Sequence, residues 1–429
     1  MAAVGVIIMT NEKKPTTGRC PFSKQSIQNP YGLHDRIRKE HPKNEEPTKI
    51  VWNEEIHSWM VLDYGLIKQI ASDHETFSSA NSIYGKEIPE DLPEVAQPLI
   101  AMDGEKHRKK RKEIQEAFKT DEIDKWEPVA RKIVGEQLEY LVSKKNTETL
   151  EVVKDIAIPI PIKIICEVMG IEYDDQKVQK IKNHTDAAVA FLGAEGGRFT
   201  EYQNKFNAED KILLPMFILG EIEKKKANPD NKLLSRMLNA RDTIDETTAF
   251  LDKIEMIADI SLMLFAGNVT TTNLIGQCLK NLAQMPEMQK RVRQDYCLIP
   301  QVVEETLRLE APGQAAYRIA TRDAEINGIK IQQGEQIYLS WGAAGRDPKK
   351  HADPDLFDLD RQNKSHLAFG IGKHYCIGAK LAKMEVQITL EEMFNSFGSL
   401  SIPKGYNIEY LDFPLFRGLK ELTLNYTLK

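Results

Sequence analysis

The chain has 429 residues, with 28% charged and 41% apolar side chains, an ordinary soluble balance and enough length for one large core or two to three average domains. A formal net charge of −6 excludes a global basic field, so nucleic acid is not an expected partner. The five cysteines, Cys20, Cys166, Cys278, Cys297 and Cys376, are scattered, odd in number and without paired metal spacing, which fits a reducing, cytoplasmic setting better than a disulfide framework.

The opening "MAAVGVIIMT" carries an apolar run far too short to span a bilayer. It also lacks the basic start and small-residue cleavage site of a secretory signal. No integral membrane segment is expected, and residues 1–25 or so read as an N-terminal extension. Short strands are predicted at "TKIVWN" and "HSWMVLD", with a helix between turn signals at "YGLIKQIASD". From about 105 to 310 helical periodicity dominates, broken at "GIEYDD", "GAEGG" and "ANPDNK". After Pro312 the texture turns to short strands ("AEINGIKIQQGEQIYLSW") and then to a meander rich in Asp and Pro, "RDPKKHADPDLFDLDR". A last helix follows Cys376, and strand-like segments close the chain. No Pro/Gly/Ser linker divides it, so the expectation is a single, mainly helical α+β domain over 1–429, and a monomer.

Four motifs carry chemistry. In "FGIGKHYCIGA", Phe369 to Ala379, glycines flank one thiol just before a helical pattern. A cysteine at a helix N-terminus is biased toward thiolate, a ligand for soft metal centres. In "EETLR", Glu305 and Arg308 share a helix face. "LFAGNVTTT", residues 264–272, puts a glycine and β-branched residues into an apolar helix, weakening it where a ligand could lie. "DGEKHRKKRKEIQEAF", residues 103–118, carries His107 and Arg111 four apart on a basic helix. Taken singly, these read as a buried cysteine, a surface ion pair, a packing accident and a solvated face.

In this order and context they resemble the cytochrome P450 family, the haem-thiolate monooxygenases, over nearly the whole chain. The signature is Phe369-Gly370-x-Gly372-x-His374-x-Cys376-x-Gly378, joined by Glu305-x-x-Arg308, Arg361 and the Gly-Asn-Val-Thr-Thr helix. The resemblance implies the P450 fold, haem b (iron protoporphyrin IX) between a distal and a proximal helix, and Cys376 as the iron's axial thiolate. Thiolate ligation favours O–O cleavage. Phe369, Gly370 and Gly378 would border the sulfur and the porphyrin. His107, Arg111, Arg318 and His374 would hold the haem carboxylates, and Glu305, Arg308 and Arg361 a structural ion-pair triad. A zinc site from His366, His374 and Cys376 competes, without a convincing fourth ligand.

The resemblance further implies that Ala266 and Gly267 leave room for O2 and that Thr270 is the oxygen-activating alcohol. The residue before it, an acid in most relatives, is Val269, which neither donates nor accepts a proton. Asn268, Thr270, Thr271 or water would then complete the relay; a peroxide-using enzyme and a non-catalytic haem sensor are the alternatives. Electrons would come from an external acidic ferredoxin or flavodoxin with its reductase. It would dock on a basic face formed by Arg108, Lys109, Lys110, Lys112, Lys364, Lys373, Lys380 and Lys383. Phe191, Leu192, Ala315, Ala316 and Phe416 are the expected contacts of a hydrophobic small-molecule substrate, with "GAEGG" as a mobile lid.

Overall fold

A computed structural model describes residues 14–40, 42, 47–80, 82, 97–144, 149–190, 205–239 and 246–428. The chain is tied in earlier than an extension to residue 25 would have it. Thr16–Thr17 pairs in parallel with Ile50–Asn53, and Lys24–Gln28 forms a helix. Ile50–Asn53 and Ser58–Val61 form the antiparallel pair that their alternation suggests. The helix Tyr64–Ser72 follows, started by Asp63, whose side chain accepts the Leu66 N–H.

A six-stranded sheet runs in the order Thr16–Thr17, Ile50–Asn53, Ser58–Val61, Gln336–Ser340, Ala315–Ala320, Phe77–Ser78. The segment before residue 80 and that after Pro312 are therefore one layer, joined where Ser58–Val61 lies parallel to Gln336–Ser340. A smaller sheet joins Phe397–Ser401, Thr423–Leu428 and Thr149–Glu151. The last of these is a strand that the helical texture around it concealed.

Everything else is organised around the helix Glu246–Gln284, the long helix. It packs against Pro159–Met169, Asp175–Ala190, Leu213–Ala227, Ile299–Leu309 and Ala379–Ser396. Leu274, Ile275, Cys278, Leu279 and Leu282 are fully or almost fully buried in its second half. A helix apolar nearly all round belongs in a core or a membrane. Residues Ile254–Gln284 are long and apolar enough for the latter, with mean hydropathy 1.2, yet half of that window is already buried inside the protein. Protein packing accounts for its composition.

The helix Ala379–Ser396, here the cysteine helix, lies on Glu127–Ser143 and the long helix, anchored by fully buried Phe394. Burying such a side chain contributes about 1.5–3 kcal/mol. Between the long helix and the cysteine helix the packing opens into a cavity of about 380 Å³.

Candidate active site

One wall of the cavity is the cysteine loop. Gly370 and Gly372 take positive φ, +68° and +70°, in the left-handed region that disfavours side chains. This folds the loop back so that the Cys376 N–H donates to the Phe369 carbonyl at 2.9 Å. Cys376 thus stands just ahead of the cysteine helix, whose N-cap is Gly378. Its side chain presents surface into the cavity while protein encloses the rest. Burial pushes the thiol up, against the Gly378 N–H and the Arg111 guanidinium, which favour thiolate. A Cβ on Gly378 would meet no protein atom within 4 Å. Gly378 therefore leaves the cavity side of the helix start open.

The facing wall is the long helix. Ala266, Gly267, Thr270 and Thr271 all line the cavity. The Thr270 hydroxyl donates to the Ala266 carbonyl at 2.7 Å, a bond back to the preceding turn that loosens the helix at this point. Asn268 departs from the expected relay. Its side chain faces the opposite way, fully buried, donating to Thr185 Oγ1 at 3.0 Å and accepting from Thr272 Oγ1 at 3.2 Å. Val269 is not among the cavity-lining residues either. Consecutive helical residues point about 100° apart, so Asn268 and Thr270 cannot share one opening.

At one end of the cavity four cationic or imidazole side chains converge: His107 and Arg111 from the helix Gly104–Gln115, Arg318 from the strand Ala315–Ala320, and His374 from the cysteine loop. The His107 and His374 rings lie 4.3 Å apart. His374 Nε2 is 3.0 Å from Asp103 Oδ1, and the carboxylate's other oxygen accepts from the Ser78 hydroxyl at 2.7 Å and the Ser79 N–H at 2.5 Å. These bonds outweigh burial and hold Asp103 at about 2. Arg111 donates to the Tyr375 carbonyl at 2.7 Å, bracing the loop. Arg318 is buried, and burial lowers its guanidinium to about 10. Its Nε, like His107 Nε2, is buried without a partner among the described residues.

A buried guanidinium with an orphaned N–H, beside a buried imidazole that burial lowers to about 4 and whose Nε2 is also unpartnered, calls for an anion. A soft ligand on one wall, a side-chain-free patch at Gly378 and this clasp at one end fit a flat metal-bearing group with carboxylates. The competing zinc arrangement does not form. His366 Nε2 pairs with Glu304 at 3.0 Å and its Nδ1 accepts the Ala368 N–H, while His374 belongs to Asp103. Among the described residues no cluster of metal-ligand type is present.

Ala315, Ala316 and Phe416 line the cavity with Leu99, Leu262 and Met263; Phe191, Leu192 and "GAEGG" lie outside the described residues. Phe369 is part of the floor, its ring 6.3 Å from that of Tyr375. Behind the cavity, Glu305 and Arg308 are fully buried and paired twice, at 2.7 and 2.9 Å, and Arg361 Nε joins Glu305 at 3.1 Å. Both guanidinium groups then donate to carbonyls of the Asp- and Pro-rich meander, including Pro354 and Leu356. One residue of the expected basic face is misplaced by sequence reasoning. Lys110 is 4% exposed and sits 2.9 Å from buried Asp259 and 3.2 Å from Glu255, a tie to the long helix. Lys109 and Lys112 are exposed, as is Lys373, which contacts His74, whereas Lys380 pairs with Asp124 and Lys383 with Glu304. Asp103 was missed altogether, although it begins the quoted basic stretch. So was Glu385, a carboxyl on the apolar face of the cysteine helix.

The sequence matches the family model for Cytochrome P450 over residues 23–414. It is 30% identical over 379 residues to a putative cytochrome P450, YjiB, of Bacillus subtilis, covering 87% of this chain and 89% of that one. The 6-deoxyerythronolide B hydroxylase of Saccharopolyspora erythraea is 30% identical over 355 residues, 80% of this chain and 84% of its own. Among solved structures, CYP109E1 from Bacillus megaterium, crystallised with testosterone, superposes with a TM-score of 0.80 at 27% identity, covering 94% of this chain and 99% of that one. Thiol loop, clasp, ion-pair triad and full-length likeness agree, and the chain belongs to the cytochrome P450 family as one of its monooxygenases.

Proposed function

We propose that this monooxygenase inserts one oxygen atom of O2 into a hydrophobic small organic molecule, using electrons from an external acidic ferredoxin or flavodoxin and its reductase. Haem b, when bound, supplies the reductive activation of dioxygen. Cys376 is its thiolate ligand, His107, Arg111, Arg318 and His374 clasp its carboxylates, and Phe369 and Ile377 keep water from the sulfur. Ala266 and Gly267 give dioxygen room, and the Thr270 hydroxyl, released from the Ala266 carbonyl, holds a proton beside it. Leu99, Leu262, Met263, Ala315, Ala316 and Phe416 make the substrate wall, extended by Phe191 and Leu192. Exposed Lys109, Lys112 and Lys373 favour an acidic electron donor through encounter rate. We take the enzyme to be a cytoplasmic monomer.

The observation that carries this reading is the pairing of a thiol wall with an apolar wall in one cavity, closed at one end by the unpartnered Arg318 Nε and His107 Nε2. The complex of CYP109E1 with testosterone and the hydroxylase relative support a lipophilic substrate. Reduced protein under CO should give the strongly red-shifted Soret band of thiolate ligation, and Cys376→His should remove it. Absorbance titration with a panel of steroids, terpenes, fatty acids and macrolides should give a spectral shift with at least one lipophile. A Cys376→His protein with an unaltered CO spectrum would overturn the assignment.

A further inference from the structure

Past the strand Phe397–Ser401 the chain folds back between Tyr410 and Leu419, and the turn of this hairpin carries Leu415 and Phe416 into the cavity. A two-stranded hairpin is marginal by itself, so its set depends on what holds it from outside. Two backbone bonds tie its turn to the approach of the strand Ala315–Ala320. The Gln314 N–H donates to the Leu415 carbonyl and the Arg417 N–H to the Pro312 carbonyl, both at 2.8 Å. The return arm is held by one carboxylate. Glu310, at the end of the helix Ile299–Leu309, is 8% exposed. Its Oε2 accepts from Arg417 Nε at 2.6 Å; its Oε1 accepts from Lys280 Nζ of the long helix at 3.2 Å and lies 3.5 Å from Arg346 Nη2. Burial raises this carboxyl, but the charges of Arg417, Lys280 and Arg346 outweigh it and hold the group at about 2. Arg417 also donates to the Ile27 carbonyl at 3.3 Å and lies 3.5 Å from the centre of the Tyr410 ring.

Phe416, next to Arg417, borders two spaces. One is the apolar wall of the cavity; the other is a crevice of about 20 Å³ bounded by Pro21, Ile27, His34, Gln314 and Phe413. Its ring stacks on that of Phe413 at 5.3 Å. We propose that Glu310 and Arg417 are positioning residues of the substrate wall: their ion pair holds Phe416 toward the cavity and away from the crevice, and so sets how closely a bulky apolar ligand approaches the thiol wall. This rests on the reading of Phe416 as a substrate contact. Arg346 offers an internal contrast, since it meets Glu310, the Leu309 carbonyl and Asp355, all of them outside the hairpin.

The test titrates holoprotein, followed by absorbance, with imidazole and with 4-phenylimidazole. Both ligate a haem iron through nitrogen, and the second alone carries a ring into the wall. The CO spectrum is read first and belongs to the haem-thiolate assignment; it should be the same in every variant. Phe416→Ala should cut the preference for 4-phenylimidazole over imidazole about tenfold, the order expected for losing the burial of an aromatic ring. Glu310→Gln keeps shape and loses charge, and should cut the preference about fivefold or more with Phe416 still present. Arg417→Lys keeps the charge but not the second bond, and should fall between Glu310→Gln and the unmodified protein. Arg346→Met loosens Glu310 without touching the hairpin and should stay within about twofold. A preference that Phe416→Ala leaves unmoved is a failure of the substrate reading and takes this proposal with it. A preference lost in Phe416→Ala but kept within about twofold in Glu310→Gln, or lost equally in Arg346→Met, overturns the proposal alone. Should Glu310→Gln not retain haem, Arg417→Lys is read in its place against the same limits.

Discussion

Arg318 illustrates how single side chains in this protein are poised for a group rather than for one another. It is buried, donates through Nη1 to the neighbouring Tyr317 carbonyl at 2.7 Å, and leaves Nε without a partner among the described residues. Hydrogen bonds to charged groups contribute about 1.5–3 kcal/mol each, so Arg318→Leu should speed haem transfer to an acceptor apoprotein by about 10- to 100-fold. Arg318→Lys keeps the charge but not the fork, and should fall between the two. Buried histidines set a pH dependence. Burial lowers His34 to about 3 and His351 to about 4, so both stay neutral in the fold. Once unfolded they regain an ordinary value near 6.5, so below that pH the unfolded chain binds protons that the folded one does not. Stability is therefore whole above that value and is lost as pH falls toward 4 and then 3. Denaturant titrations from pH 7 to 4 should show this decline, and His34→Gln should flatten it. Glu385, whose carboxyl burial holds well above the usual carboxylate range, has the opposite sign. Its cost is absent in acid and grows as pH rises past the usual carboxylate range, so Glu385→Gln should stabilise at pH 8 and not at pH 4.

The helix Gly104–Gln115 shows how one element serves two surfaces. His107 and Lys110 are buried, whereas Arg108, Lys109 and Lys112 face solvent. Reversing the charge of Lys109, Lys112 and Lys373 together should slow reduction by an acidic ferredoxin and weaken its salt dependence, without moving substrate affinity. Lys110→Glu should behave differently. It leaves the fully buried Asp259 facing a like charge, and breaking a buried pair costs about 3–5 kcal/mol, so the defect should appear in the melting temperature before any reduction kinetics. Stopped-flow reduction and calorimetry on the two variants separate docking from packing.

At the scale of the whole molecule, the ion-pair triad joins segments that secondary structure does not. Arg308 and Arg361 converge on Glu305, and through carbonyls such as Pro354 and Leu356 they hold the meander between the sheet and the cysteine loop. Salt-bridge bonds outweigh burial and keep the Glu305 carboxyl low. Glu305→Gln leaves two buried guanidinium groups short of their charge. It should cost about 3–5 kcal/mol and yield largely haem-free protein, measured by denaturant unfolding and by the ratio of Soret to protein absorbance.

Each local stretch of the chain already carried its chemistry. The glycines and thiol of 369–379, the i, i+3 pair of Glu305 and Arg308, and the weakened helix around Gly267 are short-range patterns, and backbone sterics and helical periodicity make such patterns readable. Helix and strand order after residue 105 followed from the same periodicities, except for Thr149–Glu151, which exists because Thr423–Leu428 pairs with it. Tertiary structure decided which way side chains face and what they meet. Asn268 joins Thr185 and not the cavity, Lys110 joins Asp259 and not the docking face, and Asp103 reaches His374 from far along the chain. In each case the partner lies on another element. Periodicity fixes a residue's angle around its own helix but not which neighbour occupies that direction, so burial and pairing emerge only when the elements pack.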